Sequence, residues 1–258
     1  MRGIGNVLLF VGLTAMSAVA LFTGSPVWGT IGILLFGGGG ILYFVLTRNS
    51  GATTRRRPAR TTYGHLPGMR RFTDEPAGLV FPGSRLSTVA TLLGSLVFVV
   101  AGLAMVAMAF APSASHGPAG PVLLFLVGLA GITVFSVFGV LALLALARGG
   151  NGIALVADGV YFRAPAGRAW VGWDDLKSVR LGDGIQFLVH SPEQITLTGL
   201  NRWLHRVNRD RFGMDVGYPT MLLKGDPGDA LERITYFHSA PEARVSLRDP
   251  GTANRSIP

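Results

Sequence analysis

The sequence contains no cysteine. Disulfides, thiolate nucleophiles and iron–sulfur ligation by this chain are therefore excluded. Charge is scarce as well: Asp, Glu, Lys and Arg make up 14% of the 258 residues, where a globular chain carries about 25%. Acid is the scarcer sign, with 14 Asp and Glu against 23 Lys and Arg, for a formal net charge of +9. Recognisable catalytic patterns are missing too. There is no Walker lysine motif, no dinucleotide GxGxxG and no GxSxG elbow. His65, His116, His190, His205 and His238 are scattered and form no HExxH pair. Asp174-Asp175 reads as a turn, with cation binding as the alternative. The chain is accordingly read as a non-enzyme with no cofactor and no metal, the alternative being a membrane enzyme whose distant residues converge.

What the sequence has in abundance is apolar length. Four runs, at 4–22, 27–46, 88–110 and 121–147, hold no Asp, Glu, Lys, Arg or His. Each is close to or above the roughly 20 residues that cross a bilayer as helix, and none offers a charged proton relay or transport path. The first run is also compatible with a signal peptide. Gly37, Gly38, Gly39 and Gly40 fall near the end of the second, where missing side chains permit close approach or bending. Gly94 and Gly102 share a helical face in the third, and Gly128, Gly131 and Gly139 supply small surfaces in the fourth.

The charge that exists lies between and after these runs. The 47–87 loop carries Arg55, Arg56, Arg57 and further arginines, with prolines that oppose a long helix. The 111–120 connection has His116 but no Lys, Arg, Asp or Glu, and Arg148 closes the last run. Basic loops stay on the cytoplasmic side. The expectation is a multi-pass inner-membrane protein with both termini cytoplasmic, its arginines serving orientation and anionic phospholipid contact rather than nucleic acid.

Beyond residue 148 the pattern changes to short strands and turns. Ile153 to Ala157, Asp158-Gly159 and Val160 to Arg163 read as a hairpin. LNRWLHRVNRDRF, from Leu200, places Leu200, Trp203, Leu204 and Val207 at helical intervals among Arg202, Arg206, Arg209 and Arg211. This helix could pack on the strands, lie at headgroup level with Trp203 as anchor, or fill a partner's groove. Asp226-Pro227 marks a helix start.

The stretch GIALVADGVYFRAPAGRAWVGWDDLKSVRL resembles the bacterial PH-like domain, its clearest matches being Asp158, Gly159, Trp173, Asp174 and Asp175. The resemblance implies a bent strand barrel closed by a C-terminal helix near 227–238. It does not license a phosphoinositide site: Lys177 and Arg180 read as ordinary surface charges, with ligand contact as the alternative. The expected fold is α+β: a four-helix transmembrane domain at 1–148 including the basic loop 47–87, a cytoplasmic PH-like domain at 149–240 and a flexible tail at 241–258. The Gly/Ala-rich composition with such an anchor is similar to actinobacterial membrane proteins. The expected function is a non-catalytic accessory or scaffolding subunit of an integral cell-envelope complex, with lipid transport as a setting. Alternatives are an autonomous lipid-binding sensor and a small transporter. The lipid or partner contacts would be Arg55, Arg56, Arg57, Lys177, Arg180, Arg202, Trp203, Arg206 and Arg209.

Overall fold

The structure is a computed structural model that describes residues 11–19, 29, 32–40, 61–110, 119–165, 167–182 and 184–249. The chain divides into two compact units. One comprises Met1–Leu46 with Thr88–Leu143, the other Thr47–Ser87 with Leu144–Pro258.

Two long helices dominate the first unit, α1 (Arg85–Ala109) and α2 (Ala119–Ala147). Among the described residues these two, and not four, are long and apolar enough to cross a membrane. The runs at 4–22 and 27–46 lie largely outside the described residues. Within them 11–19 is helical, and 32–40 is helical with a π-helical turn at Ile33–Gly37. Large apolar side chains stand exposed around both long helices, including Leu93, Leu96 and Leu103 on α1 and Leu123, Leu126 and Phe138 on α2. A helix with no polar face is one built for an apolar solvent or a buried core. Two of the hydroxyls are satisfied within their own helices: Ser95 donates to Thr91 O at 2.8 Å and Thr133 to Leu129 O at 2.9 Å. That removes the cost of a bare polar group in hydrocarbon.

The helices meet at glycine. A Cβ on Gly102 would stand 2.9 Å from Gly128 O, and one on Gly128 would stand 2.7 Å from Gly102 O. Only backbone fits there. Phe98 stacks on Phe135 at 4.2 Å between ring centres. Gly139 faces Ser95, Gly37 lies beside Thr14 and Gly38 beside Val97, whereas Gly131 has open space. Gly94, Gly39 and Gly40 are helical.

Among the described residues the second unit holds nine strands: β1 (Thr62–Gly64), β2 (Gly78–Pro82), β3 (Gly152–Val156), β4 (Gly159–Ala164), β5 (Gly167–Gly172), β6 (Leu176–Leu181), β7 (Gly184–Val189), β8 (Thr196–Gly199) and β9 (Val216–Pro219). Helix α3 (Asn201–Phe212) precedes β9, and α4 (Pro227–Ser239) follows it. The expected closed PH-like barrel does not form. The strands make two open antiparallel sheets, β1-β2-β3-β4-β5-β8 and β6-β7-β9. The physical reason lies at the β5 edge, where a strand continuing the meander would bond. Thr196–Gly199 occupies it instead, with Arg168 opposite Thr198 and Trp170 opposite Thr196. Strands β6 and β7, after the Trp173–Asp175 turn, therefore pair with each other and with β9.

A second departure concerns 47–87. Its arginines and prolines suggested a loop, yet Gly78–Pro82 pairs with β3 along its length, from Leu79 opposite Leu155 to Pro82 opposite Gly152. Proline closes this strand at its end, where it is tolerated. Residues 241–248, expected in a flexible tail, form a 3-10 helix whose Leu247 is fully buried.

The six-stranded sheet is covered on both faces, which is why β3 is buried throughout. Successive side chains point to opposite sides. Ile153 and Leu155 join Phe81, Phe162, Trp173, Phe187, Ile234 and Phe237 in the main core. Ala154 and Val156 join Val80, Tyr161, Leu66 and Met69 in a smaller one. Trp173 donates its indole N–H to Val156 O at 2.8 Å, and Arg244 lies over its ring at 5.4 Å. Asp226 caps α4, accepting from Gly228 N at 2.8 Å, with Pro227 at the first helical position.

Candidate functional site

The basic helix α3 is docked by a buried carboxylate. Asp215 is 0% exposed. Its Oδ2 accepts the Val189 N–H at 2.9 Å, and its own N–H donates to Phe187 O at 2.9 Å. These bonds fix it at the edge of β7. Its Oδ1 faces α3, 3.3 Å from His205 Nε2 and 3.4 Å from Arg209 Nη1, within ion-pair distance but without hydrogen-bond geometry. A carboxylate removed from water needs opposite charge, which the Arg209 guanidinium supplies.

The helix terminus is secured separately. Gly213 adopts left-handed φ 59° and donates to Arg209 O, a conformation glycine reaches without a Cβ penalty. Arg180 then donates to Phe212 O at 2.8 Å and Gly213 O at 3.2 Å, and to Gln186 Oε1 at 2.7 Å. A cation on the last carbonyls of a helix is favourable. Arg180, expected as a ligand contact, is thus occupied in holding α3.

With His205 and Arg209 turned inward, the opposite face looks out. Trp203 is 69% exposed, and Arg202, Arg206, Asp210 and Arg211 are exposed beside it. The apolar periodicity left this helix open between packing on the strands and an outward Trp203 as anchor or partner contact. A polar anchor has claimed the packing side. An exposed indole flanked by guanidinium groups is a surface suited to a partner of negative charge and mixed polarity.

The other expected contacts do not join this face. Lys177 is exposed on β6, and Arg55, Arg56 and Arg57 lie outside the described residues. Asp174 pairs with Arg244 at 3.4 Å. Asp175 donates its N–H to Gly172 O at 3.2 Å. The acidic pair therefore serves a turn. Among the described residues no group of three or more His, Asp or Glu could hold a metal ion.

Sequence reasoning passed over two residues of weight here. Asp215 lies in GMDVGY, where nothing local marks a buried carboxylate. Arg163 ends the VYFR strand like an ordinary surface charge, yet is 5% exposed and donates Nη1 to Pro67 O at 2.9 Å.

No family model, curated protein or solved structure matches the chain. The actinobacterial origin and the lipid-transport setting were read from the Gly/Ala-rich composition together with a PH-like anchor; two open sheets stand in the place of that anchor, and no match signals either.

Proposed function

We propose that the chain is an integral membrane protein whose α1–α2 hairpin anchors the α+β unit at the cytoplasmic face, where it acts as a non-catalytic accessory or scaffolding subunit of a larger membrane complex. One observation carries the reading. Strand β2 enters α1, strand β3 leaves α2, and the two strands pair with each other from Leu79 opposite Leu155 to Pro82 opposite Gly152. Hydrogen-bonded neighbours share one side of a bilayer, so a crossing by α1 is matched by a return through α2. The exposed leucines, the internally satisfied hydroxyls and the glycine contact all suit helices solvated by lipid. Arg85 and Arg148 flank the pair, whereas the 111–118 connection holds no Lys or Arg, which favours the cytoplasm for the folded unit.

The test is purification of the full chain from its native membrane in mild detergent, followed by mass spectrometry. A stoichiometric integral-membrane partner is expected. A chain that comes off alone at every detergent concentration overturns the subunit reading.

A second reading, an autonomous lipid-binding sensor, is favoured by Trp203 standing outward between Arg202 and Arg206. It predicts a lone chain that binds anionic liposomes and loses that binding when the two arginines are neutralised.

A further inference from the structure

The register of the six-stranded sheet assembles a cluster of charge that the order of residues hides. One row across the sheet runs Pro82, Gly152, Arg163, Arg168, Thr198, each opposite the next. This row marks one end of the sheet. Just beyond Pro82 the chain opens α1 at Arg85, and just before Gly152 it leaves α2 through Arg148. Beyond Thr198 it opens α3 with Arg202 and Trp203.

Within the row, Arg163 and Arg168 stand directly opposed on adjacent antiparallel strands, so their side chains share a face. Like charges in that position repel. The fold keeps both. Arg163 is nearly buried and bonds Pro67 O, and the Arg168 guanidinium lies so close over Gly68 that a Cβ there would stand 2.6 Å from it. Burial lowers the affinity of the Arg163 guanidinium for its proton; Tyr161 opposes the shift, and the charges of Arg168 and Arg148 add to it.

Three other guanidinium groups of this unit pair with acids: Arg209 with Asp215, Arg244 with Asp174, Arg248 with Glu75. Among the described residues no carboxylate pairs with Arg148, Arg163 or Arg168. Arg163 and Arg168 thus face each other without a counter-ion, and Arg148, which closes α2 four residues before Gly152, adds its charge to that of Arg163.

We propose that Arg148, Arg163 and Arg168 form a binding surface for the phosphate of an anionic phospholipid in the same membrane. The inference rests on the reading that α1 and α2 cross the bilayer. A guanidinium fork matches a phosphate's oxygens, and where an apolar helix gives way to arginine the nearest phosphate belongs to the headgroup layer. Arg148 is exposed and Arg168 half-buried, so these two reach the lipid while Arg163 supplies fixed charge behind them. None of the three belongs to α3, whose first residue comes close to β5: a Cβ on Gly167 would stand 3.4 Å from Asn201 Nδ2.

The test uses the full chain in mild detergent, titrated with short-chain phosphatidylglycerol or phosphatidylcholine and read by native mass spectrometry for retained lipid. Preferential retention of phosphatidylglycerol is expected. Arg148→Gln and Arg168→Gln should each weaken it about fivefold, with circular dichroism unchanged. Arg148→Gln, at an exposed position, keeps the test open if Arg168→Gln misfolds. Equal retention of the two lipids overturns the proposal, as does an equal loss in the distant Lys177→Gln variant, which would mean bulk charge alone. Inorganic phosphate at matched concentration is the third arm. If it displaces the lipid completely, the site is one for soluble phosphate and the lipid assignment falls. A carbonate wash of native membranes reports on the anchor independently: release of the chain defeats the membrane reading, while retention without lipid preference defeats only this one.

Discussion

Tyr218 is fully buried in the main core, and its hydroxyl finds no hydrogen-bond partner. Burial raises its pKa far above the ordinary tyrosine value. The sign of the pH effect follows from linkage. The folded state keeps a proton that the unfolded chain releases above about pH 10, so stability present below that pH is lost as pH rises beyond it. Tyr161 and Tyr63 are raised in the same direction, burial being the main cause for each. Tyr218→Phe removes a stranded hydroxyl while keeping the ring. The variant is expected to be as stable as the parent, or more so by about 1 kcal/mol, and to lose less stability between pH 10 and 11.5. Urea unfolding followed by tryptophan fluorescence at several pH values checks both. A loss of more than about 1 kcal/mol at neutral pH would mean that the hydroxyl has a partner.

At the scale of the element, the glycines divide into those that touch and those that do not. Gly102 and Gly128 bring two backbones together, whereas Gly131 faces open space. Gly102→Leu is therefore expected to destabilise the α1–α2 pair by about 1–3 kcal/mol. Gly131→Ala should be neutral or slightly favourable, since alanine is the better helix former. Graded sodium dodecyl sulfate titration, read by circular dichroism, separates the two. Equal effects would place the contact elsewhere.

Legibility at this scale tracks the sequence distance of the interaction. The β3–β4 hairpin and the Asp226-Pro227 helix start could be read because their turn and cap residues lie beside the elements they shape. The open sheets could not. Thr196–Gly199 excludes barrel closure only through pairing with Gly167–Trp170, and β2 becomes a strand because β3, beyond two long helices, supplies its bonds. Of the candidate contacts, Arg202, Trp203 and Arg206 were visible as a basic aromatic stretch. Its orientation was not, because Asp215 captures His205 and Arg209 and turns the indole outward. The facing of Arg163 and Arg168 depends on register, which composition does not record.

For the whole molecule, the lack of cysteine becomes an experimental asset, since single cysteines can be introduced into a background with none. A cysteine at Ser178, exposed on β6, is expected to react with membrane-impermeant maleimide only after the membrane is opened. One at Ser113, in the short connection between α1 and α2, should react in sealed cells. The reverse pattern would turn the assigned orientation over, and the same labelling at both positions would remove the crossing altogether.

The bond between β2 and β3 also sets an order of events during synthesis. The first strand leaves the ribosome early and has no partner on one flank until both long helices have been made. A nascent chain that threads only one of them would leave the two halves of the sheet in different compartments. Correct threading is thus a precondition for the polar unit to fold, and a mis-inserted copy would display Leu79, Val80 and Phe81 as an unpaired strand edge for quality-control proteases to find.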